Sequence, residues 1–69
     1  MSYSKLRGKI REVFSTQKAF AEAMDMNAAT VSGKLNGKSD WSMAEMEKAC
    51  SLLEISMMDM HFYFFCPKN

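Results

Sequence analysis

The side chains that could do chemistry in this sequence are hydrogen-bonding and cationic groups in its middle third. Asn27, Thr30 and Ser32 carry one amide and two hydroxyls, and Gln17 and Lys18 carry an amide and an amine earlier in the chain. Amides and hydroxyls bond to the edges of nucleic-acid bases, and amines bond to phosphates. These residue types therefore favour recognition of a ligand over catalysis.

The groups that enzymes and metal sites need do not form a pattern. The sequence has no glycine-rich phosphate loop, no nucleophile paired with a base and no evident carboxylate pair. His61 is the only histidine, and the two cysteines, Cys50 and Cys66, do not combine with it at zinc spacing. We expect Cys50 to fill the core and Cys66 to have no role, and we expect no enzymatic activity, metal or cofactor.

The net charge of +1 hides an uneven distribution along the chain. Residues 1–38 carry seven basic and three acidic side chains, a net +4, whereas residues 39–69 carry two basic and five acidic ones, a net −3. A polyanion would be attracted to the first part and repelled by the second. Chance also produces such a split in a short chain, and the charge pattern alone leaves both readings open.

The length of 69 residues allows one domain, residues 1–69, with stability that comes from helix packing. Its composition, 48% hydrophobic and 25% charged, is typical of a globular protein. No apolar run approaches the ~20 residues of a membrane helix, and no signal region precedes the cysteines. We therefore expect a soluble protein in a reducing cytoplasm.

The apolar periodicity and the capping residues predict five short helices and no strand. Helix 1 covers residues 4–14, helix 2 residues 17–24 and helix 3 residues 28–35. Helix 4 runs to about residue 53 and a fifth helix ends near residue 65. The sequence is therefore assigned to the all-α class, as a compact five-helix bundle.

Short signals define the predicted helix ends. Asn27 suits the N-cap of helix 3, and Ser42 with Glu45 matches a capping box for helix 4. Asp25 tolerates the left-handed conformation that a turn between helices 2 and 3 often needs, and Gly37 suits the end of helix 3. Gly33, inside helix 3, indicates either close approach of that helix to a neighbouring group, which we favour, or plain tolerance of a glycine there.

Predicted core positions follow from helical spacing. Those of helices 1 and 4 are Leu6, Ile10, Val13, Phe14, Met43, Met46, Ala49, Cys50 and Leu53. Between helices 2 and 3, Ala21 allows close approach while Phe20, Met24 and Val31 fill the crossing. The methionines and aromatic residues from 57 to 65 are more apolar than one helix needs, and they either pack on helix 1 or pair with a second copy.

One set of residues resembles the lambda-type phage repressor and Cro family of helix-turn-helix proteins. The resemblance covers residues 4–60 and is carried by Thr16-Gln17, Phe20-Ala21, Val31-Ser32 and Leu35-Asn36-Gly37-Lys38, followed by the capped helix 4. Asp25 departs from the glycine common in that family's turn, and Lys34 stands where an apolar residue is usual. Leu35 is then expected to take over the packing at this point of helix 3.

The resemblance implies a helix-turn-helix formed by helices 2 and 3 that binds double-stranded operator DNA. Such proteins usually bind a pseudo-palindrome as a pair of subunits, and the expected role is a transcriptional regulator of a phage or prophage at the nucleoid of a bacterial host. Helix 3 would read the major groove. The expected DNA-binding residues are Gln17, Lys18, Asn27, Ala28, Ala29, Thr30, Ser32, Gly33, Lys34, Asn36 and Lys38.

These residues divide between phosphates and bases. Asn27 could pair with adenine, and Thr30 and Ser32 could bond to either kind of base edge. Gln17 lies at the start of helix 2, where free N–H groups and the helix dipole favour a phosphate. The basic residues of helix 1 either face solvent or supply one or two phosphate contacts.

The alternative function is a protein–protein interaction module on the same helical scaffold. The small residues of helix 3 and the near-neutral charge favour it. Salt distinguishes the two functions. DNA binding through six phosphates weakens by about 10³ or more between 50 and 200 mM salt, while an apolar interface barely responds.

Overall fold

The computed structural model describes residues 3–65, which form five α-helices with no strand among them. The helices are α1 (Ser4–Phe14), α2 (Gln17–Met24), α3 (Ala28–Leu35), α4 (Met43–Leu53) and α5 (Met60–Phe64), and a 3-10 turn, Met57–Asp59, precedes α5. The all-α class is confirmed, and the bounds of α1 to α3 are those predicted. None of these helices is long and apolar enough to cross a membrane. Cys66 lies outside the described residues.

Side-chain caps start three of the helices, as predicted for α3 and α4. Thr16 Oγ1 accepts from the Ala19 N–H at 3.1 Å, and Asn27 Oδ1 accepts from the Ala29 N–H at 2.8 Å. In the capping box of α4, Ser42 Oγ accepts from the Glu45 N–H at 3.1 Å and the Glu45 carboxylate accepts from the Ser42 N–H at 2.9 Å. Each cap satisfies first-turn N–H groups that have no partner within the helix.

Residues in the left-handed region end the helices. Asp25 has φ 60° after α2, Glu54 has φ 57° after α4, and Gly37 has φ 80° after α3. These turns let the Met26 N–H reach back to the Ala21 carbonyl at 2.9 Å and the Lys38 N–H reach the Gly33 carbonyl at 2.9 Å. Such bonds satisfy carbonyls that would otherwise lack partners at a helix C-terminus.

The core lies between α1, α2, α3, α4 and the C-terminal segment. Its fully buried side chains include Leu6, Ile10, Phe20, Val31, Leu35, Cys50 and Leu53. Trp41, which precedes α4, is buried and its ring meets the edge of Phe64 at 5.4 Å between centroids. The inner part of the C-terminal segment therefore packs on the domain, and the predicted packing of this segment on α1 is confirmed.

Two predicted core residues are exposed, so those predictions are wrong. Val13 is 43% exposed because it lies in the last turn of α1, where Phe14 makes the inward contact with Phe20. Met43 is 53% exposed because it is the first residue of α4, and Trp41 fills the core beside that turn. The fifth helix is also shorter than predicted, since a 3-10 turn forms its first part.

Candidate nucleic-acid interface

The helices α2 and α3 form a unit joined by a three-residue turn, residues 25–27. Ala21 and Val31 are fully buried where the two helices pack, and Phe20 lies beneath them in the core. Because alanine has the smallest side chain that still favours a helix, it allows the two backbones to approach closely. The packing of α3 on α2 thus fixes which of its faces turns outward.

The outward face of α3 carries only small side chains. Val31 and Leu35 are buried, whereas Ala28, Ala29 and Thr30 are exposed and Ser32 and Gly33 are half-buried. A Cβ atom added at Gly33 meets no atom within 4 Å. The close approach predicted from Gly33 is therefore not made within the described chain, and this face of α3 is open.

Asn27 serves as the N-cap of α3, which limits how it can also meet a base. Its Oδ1 atom accepts from the Ala29 N–H, while its amide NH2 group has no partner among residues 3–65. A bidentate contact with adenine needs both Oδ1 and the NH2 group. In this conformation Asn27 offers a donor to a ligand more readily than it offers a bidentate pair.

Lys34 is occupied by contacts within the protein. Its ammonium lies 3.2 Å from the Glu45 carboxylate, donates to the Asp40 carbonyl at 2.7 Å and lies 5.9 Å from the centroid of the Trp41 ring. The side chain is only 12% exposed. Lys34 thereby joins the end of α3 to the start of α4, with its ammonium over the Trp41 ring.

These contacts affect the acid at the start of α4. The Ser42 backbone N–H, and with it the Lys34 ammonium, holds the pKa of Glu45 below its ordinary value although partial burial opposes the shift. Glu45 therefore stays ionised at neutral pH, in the capping box and in the ion pair.

Two further basic side chains hold the ends of α2 and α3, and sequence reasoning missed both roles. Arg7 Nη2 donates to the Leu35 carbonyl at 2.9 Å and to Asn36 Oδ1 at 2.7 Å. Lys48 Nζ donates to the Met24 carbonyl at 3.2 Å. A cation at a helix C-terminus is favourable because the terminal carbonyls carry partial negative charge. No sequence pattern links these partners, which lie 24 to 29 residues apart.

A cleft of about 270 Å³ opens at the start of α2. It is lined by Arg7, Ile10, Arg11, Ser15, Thr16 and Gln17. Two arginines, one of which also donates to the end of α3, line it beside the first N–H groups of α2, and this positive environment suits an oxyanion such as a phosphate. The structure thus brings Gln17 together with Arg11, whose role the sequence left open between solvent and phosphate.

The remaining predicted cations lie at the surface. Lys18 in the first turn of α2 and Lys38 after α3 are both exposed. Lys18 follows Gln17 at the start of α2, and Lys38 lies two residues after Asn36 at the end of α3. Residues 17–38 carry three lysines against the exposed Glu22 and Asp25, a net +1, and Lys34 is paired with Glu45.

The described part of the chain offers no metal site, since no three histidine, cysteine or acidic side chains lie together within residues 3–65. Cys50 is 1% exposed, and burial raises the pKa of its thiol. A neutral, buried thiol is a poor ligand and a poor nucleophile.

The fold and the open face of α3 define a small all-helical domain with two helices joined by a short turn. The chain belongs to the family described as "Protein of unknown function (DUF739)", whose model matches residues 1–67. No curated protein matches the chain. The family description assigns no activity, so the resemblance to lambda-type repressors stays a prediction.

Proposed function

We propose that this protein binds duplex DNA through α2, the turn at residues 25–27 and α3, as a helix-turn-helix of the lambda repressor type. The observation that carries the proposal is α3 itself. Packing fixes the inner face of α3, and Arg7 binds its C-terminal end. Its outer face is uncovered and carries only small side chains. A rigid helix with an uncovered face suits insertion into the major groove.

Affinity in this proposal comes from phosphate contacts on both sides of α3. Gln17 and Arg11 bind one phosphate at the cleft before α2, and Lys18 and Lys38 bind neighbouring phosphates. The amide of Asn36 donates from the end of α3, because Arg7 already occupies its oxygen. Lys34 acts as a positioning residue that fixes α3 against α4.

Specificity in this proposal comes from the first two turns of α3. Thr30 and Ser32 bond to base edges, and the methyl groups of Ala28 and Ala29 meet thymine methyls. Asn27 adds an amide donor while it caps the helix. Since none of these side chains makes a strong bidentate pair, direct contacts give modest discrimination and water bridges or DNA shape supply the rest.

The biological role that follows is transcriptional regulation, most simply repression of a phage or prophage operator in the bacterial cytoplasm. Two copies on a pseudo-palindrome would place their recognition helices about 34 Å apart, which is one turn of DNA. The domain measures 28 × 25 × 21 Å, so two copies side by side fit that spacing.

Selection of random duplexes by the purified protein at low salt tests this function. We expect enrichment of a site whose affinity falls steeply with salt, and Lys18→Ala should reduce the slope of log affinity against log salt by about 1. Ser51→Glu, on the exposed side of α4, changes the net charge by an equal amount and should leave the slope unchanged. Failure to enrich any sequence, with binding to a protein partner that ignores salt, would favour the interaction-module alternative.

A further inference from the structure

The last four carbonyls of α3 all have hydrogen-bond partners, and one of these partners is a side chain of another helix. The Ser32, Gly33 and Lys34 carbonyls accept from backbone N–H groups in the turn after α3, at 2.9 to 3.2 Å. The Leu35 carbonyl accepts instead from Arg7 Nη2, at 2.9 Å. Arg7 in α1 thus completes the C-terminal cap of α3, a role that backbone groups usually fill.

The same guanidinium fixes the orientation of the Asn36 side chain. Arg7 Nη2 lies 2.7 Å from the oxygen atom Oδ1 of Asn36. One end of an amide group accepts hydrogen bonds and the other end donates them, whereas a guanidinium only donates. Asn36 must therefore turn its oxygen to Arg7. Its exposed NH2 group has no partner among residues 3–65 and is left for a ligand.

Charge explains why the Arg7 contact matters for an anion. The carbonyl end of a helix carries roughly half a negative charge, so by itself it repels a phosphate. Lys38 and Asp40, both exposed, follow α3 in the chain, and their opposite charges leave the sign of this region undecided. The Arg7 guanidinium sets a full positive charge at the Leu35 carbonyl. Arg7 therefore decides that the end of α3 is compatible with an anion.

We propose that Arg7 is a positioning residue that makes the end of α3 a donor site for a phosphate of the DNA backbone. It supplies the positive charge and holds Asn36 as a donor, while the Asn36 NH2 group makes the contact. The oxygens of a backbone phosphate only accept hydrogen bonds, so they require the donor end of the amide. The phosphate as ligand rests on the proposed function, whereas the hold of Arg7 on Asn36 does not.

Arg7 also joins this donor site to the cleft before α2. It lines that cleft together with Arg11 and Gln17, and its Nη2 atom reaches the end of α3. One side chain thus lies between the two places where the proposed function sets a phosphate. Substitution of Arg7 should weaken contacts at both places, whereas substitution of Asn36 should weaken only the contact at the end of α3.

Asn36→Asp tests the hold of Arg7 on Asn36 without any ligand. The substitution keeps an oxygen towards Arg7 and turns a neutral acceptor into a charged one. Circular dichroism melts should show Tm rising by about 2–4 °C in the wild-type background. In an Arg7→Gln background Tm should fall, because the new carboxylate then lies at the carbonyl end of α3 without its cation. The same change in both backgrounds, or no change in either, would overturn the proposal.

Arg7→Lys replaces Arg7→Gln if the latter does not fold cooperatively. Lysine keeps the charge but lacks the planar fork that bonds to two acceptors at once. The rise in Tm on Asn36→Asp should then be smaller than in the wild-type background. A rise of equal size would overturn the role of the guanidinium.

Fluorescence anisotropy with the selected duplex tests the ligand. Asn36→Asp should bind the duplex about ten-fold or more weakly, because an acceptor replaces the donor that a phosphate needs. Ser51→Glu is the matched control, since it changes the net charge by the same amount on the exposed side of α4 and should bind as the wild type does. Asn36→Ala should cost less affinity in the Arg7→Gln background than in the wild type, because the amide is no longer held there.

The outcomes separate this inference from the proposed function. If the wild type and Asn36→Asp bind the duplex equally tightly, or if Asn36→Ala costs the same affinity in both backgrounds, this inference is overturned and the DNA-binding proposal stands. A wild type that binds no duplex overturns the DNA-binding proposal and, with it, the phosphate ligand named here. The melts then still decide whether Arg7 holds Asn36 as a donor.

Discussion

The pair Gly33→Ala and Gly8→Ala tests whether the open face of α3 meets a ligand. Both glycines lie inside helices, in α3 and α1, and a Cβ atom added at either position meets no atom within 4 Å. Alanine in a helix interior is more favourable than glycine by roughly 0.5–1 kcal/mol. Each substitution should therefore stabilise the free protein, with a rise in Tm of about 4–8 °C per kcal/mol for a domain of this size.

The two substitutions should differ in DNA binding. Gly33 lies on the face that we assign to the major groove, where a methyl group would meet the DNA and cost about 1–3 kcal/mol, as overpacking of a close interface does. We expect a loss of affinity of about ten-fold or more for Gly33→Ala and no change for Gly8→Ala.

Thermal melts of the two variants, with fluorescence anisotropy of a labelled duplex, provide the assay. Destabilisation by Gly33→Ala would show that the space around this residue is not open. Stabilisation with unchanged DNA affinity would show that DNA does not approach α3 at Gly33, and the assignment of this face would be wrong.

Three further predictions concern single side chains. Asn27→Ala should cost about 1 kcal/mol of stability because it removes the N-cap of α3. Asn27→Asp should keep the cap and the stability but weaken DNA binding, because it sets a carboxylate beside phosphates. DNA binding by Asn27→Asp at the wild-type level would contradict this. The pKa of Glu45 is lowered, so its contribution to stability is present above the ordinary carboxyl pKa and is lost as pH falls through the folded value. Urea titrations should then show wild type more stable than Glu45→Gln at pH 7 by up to about 1 kcal/mol, with the difference shrinking as pH falls below the ordinary carboxyl pKa; a difference that does not change with pH would refute the lowered pKa of Glu45. In a Cys66→Ser background, the buried Cys50 thiol should react with a thiol reagent only as fast as the protein opens, and rapid labelling of the native protein would contradict its burial.

The sequence predicted most of the fold because the helix ends depend on neighbouring residues. The caps at Asn27 and Ser42, the turn at Asp25 and the stop at Gly37 act over one to five residues, and a sequence shows them directly. The two wrong core assignments, Val13 and Met43, lie at helix ends. Helical spacing predicts which face of a helix is buried, but it does not predict where along the helix axis the burial ends.

The candidate site was only partly predictable, for a different physical reason. Arg7, Lys34 and Lys48 act through hydrogen bonds to backbone carbonyls. Because every residue has a backbone carbonyl, residue types do not show which one accepts such a bond. Lys34 was expected at a phosphate, and in the free protein its ammonium pairs with Glu45 between α3 and α4. The role of Arg11 was left open, and this residue lines the cleft with Gln17. Tertiary packing decides which cations remain available to a ligand.

The most direct test of the central claim is an amide chemical-shift map of the protein titrated with a short DNA duplex at 50 mM salt (about the low end of the range in which phosphate contacts dominate). The proposal predicts the largest changes at residues 17–18, 27–33 and 36–38, and changes that weaken as salt is added. Absence of any change, or changes centred on α4 and unaffected by salt, would contradict DNA binding through α2 and α3.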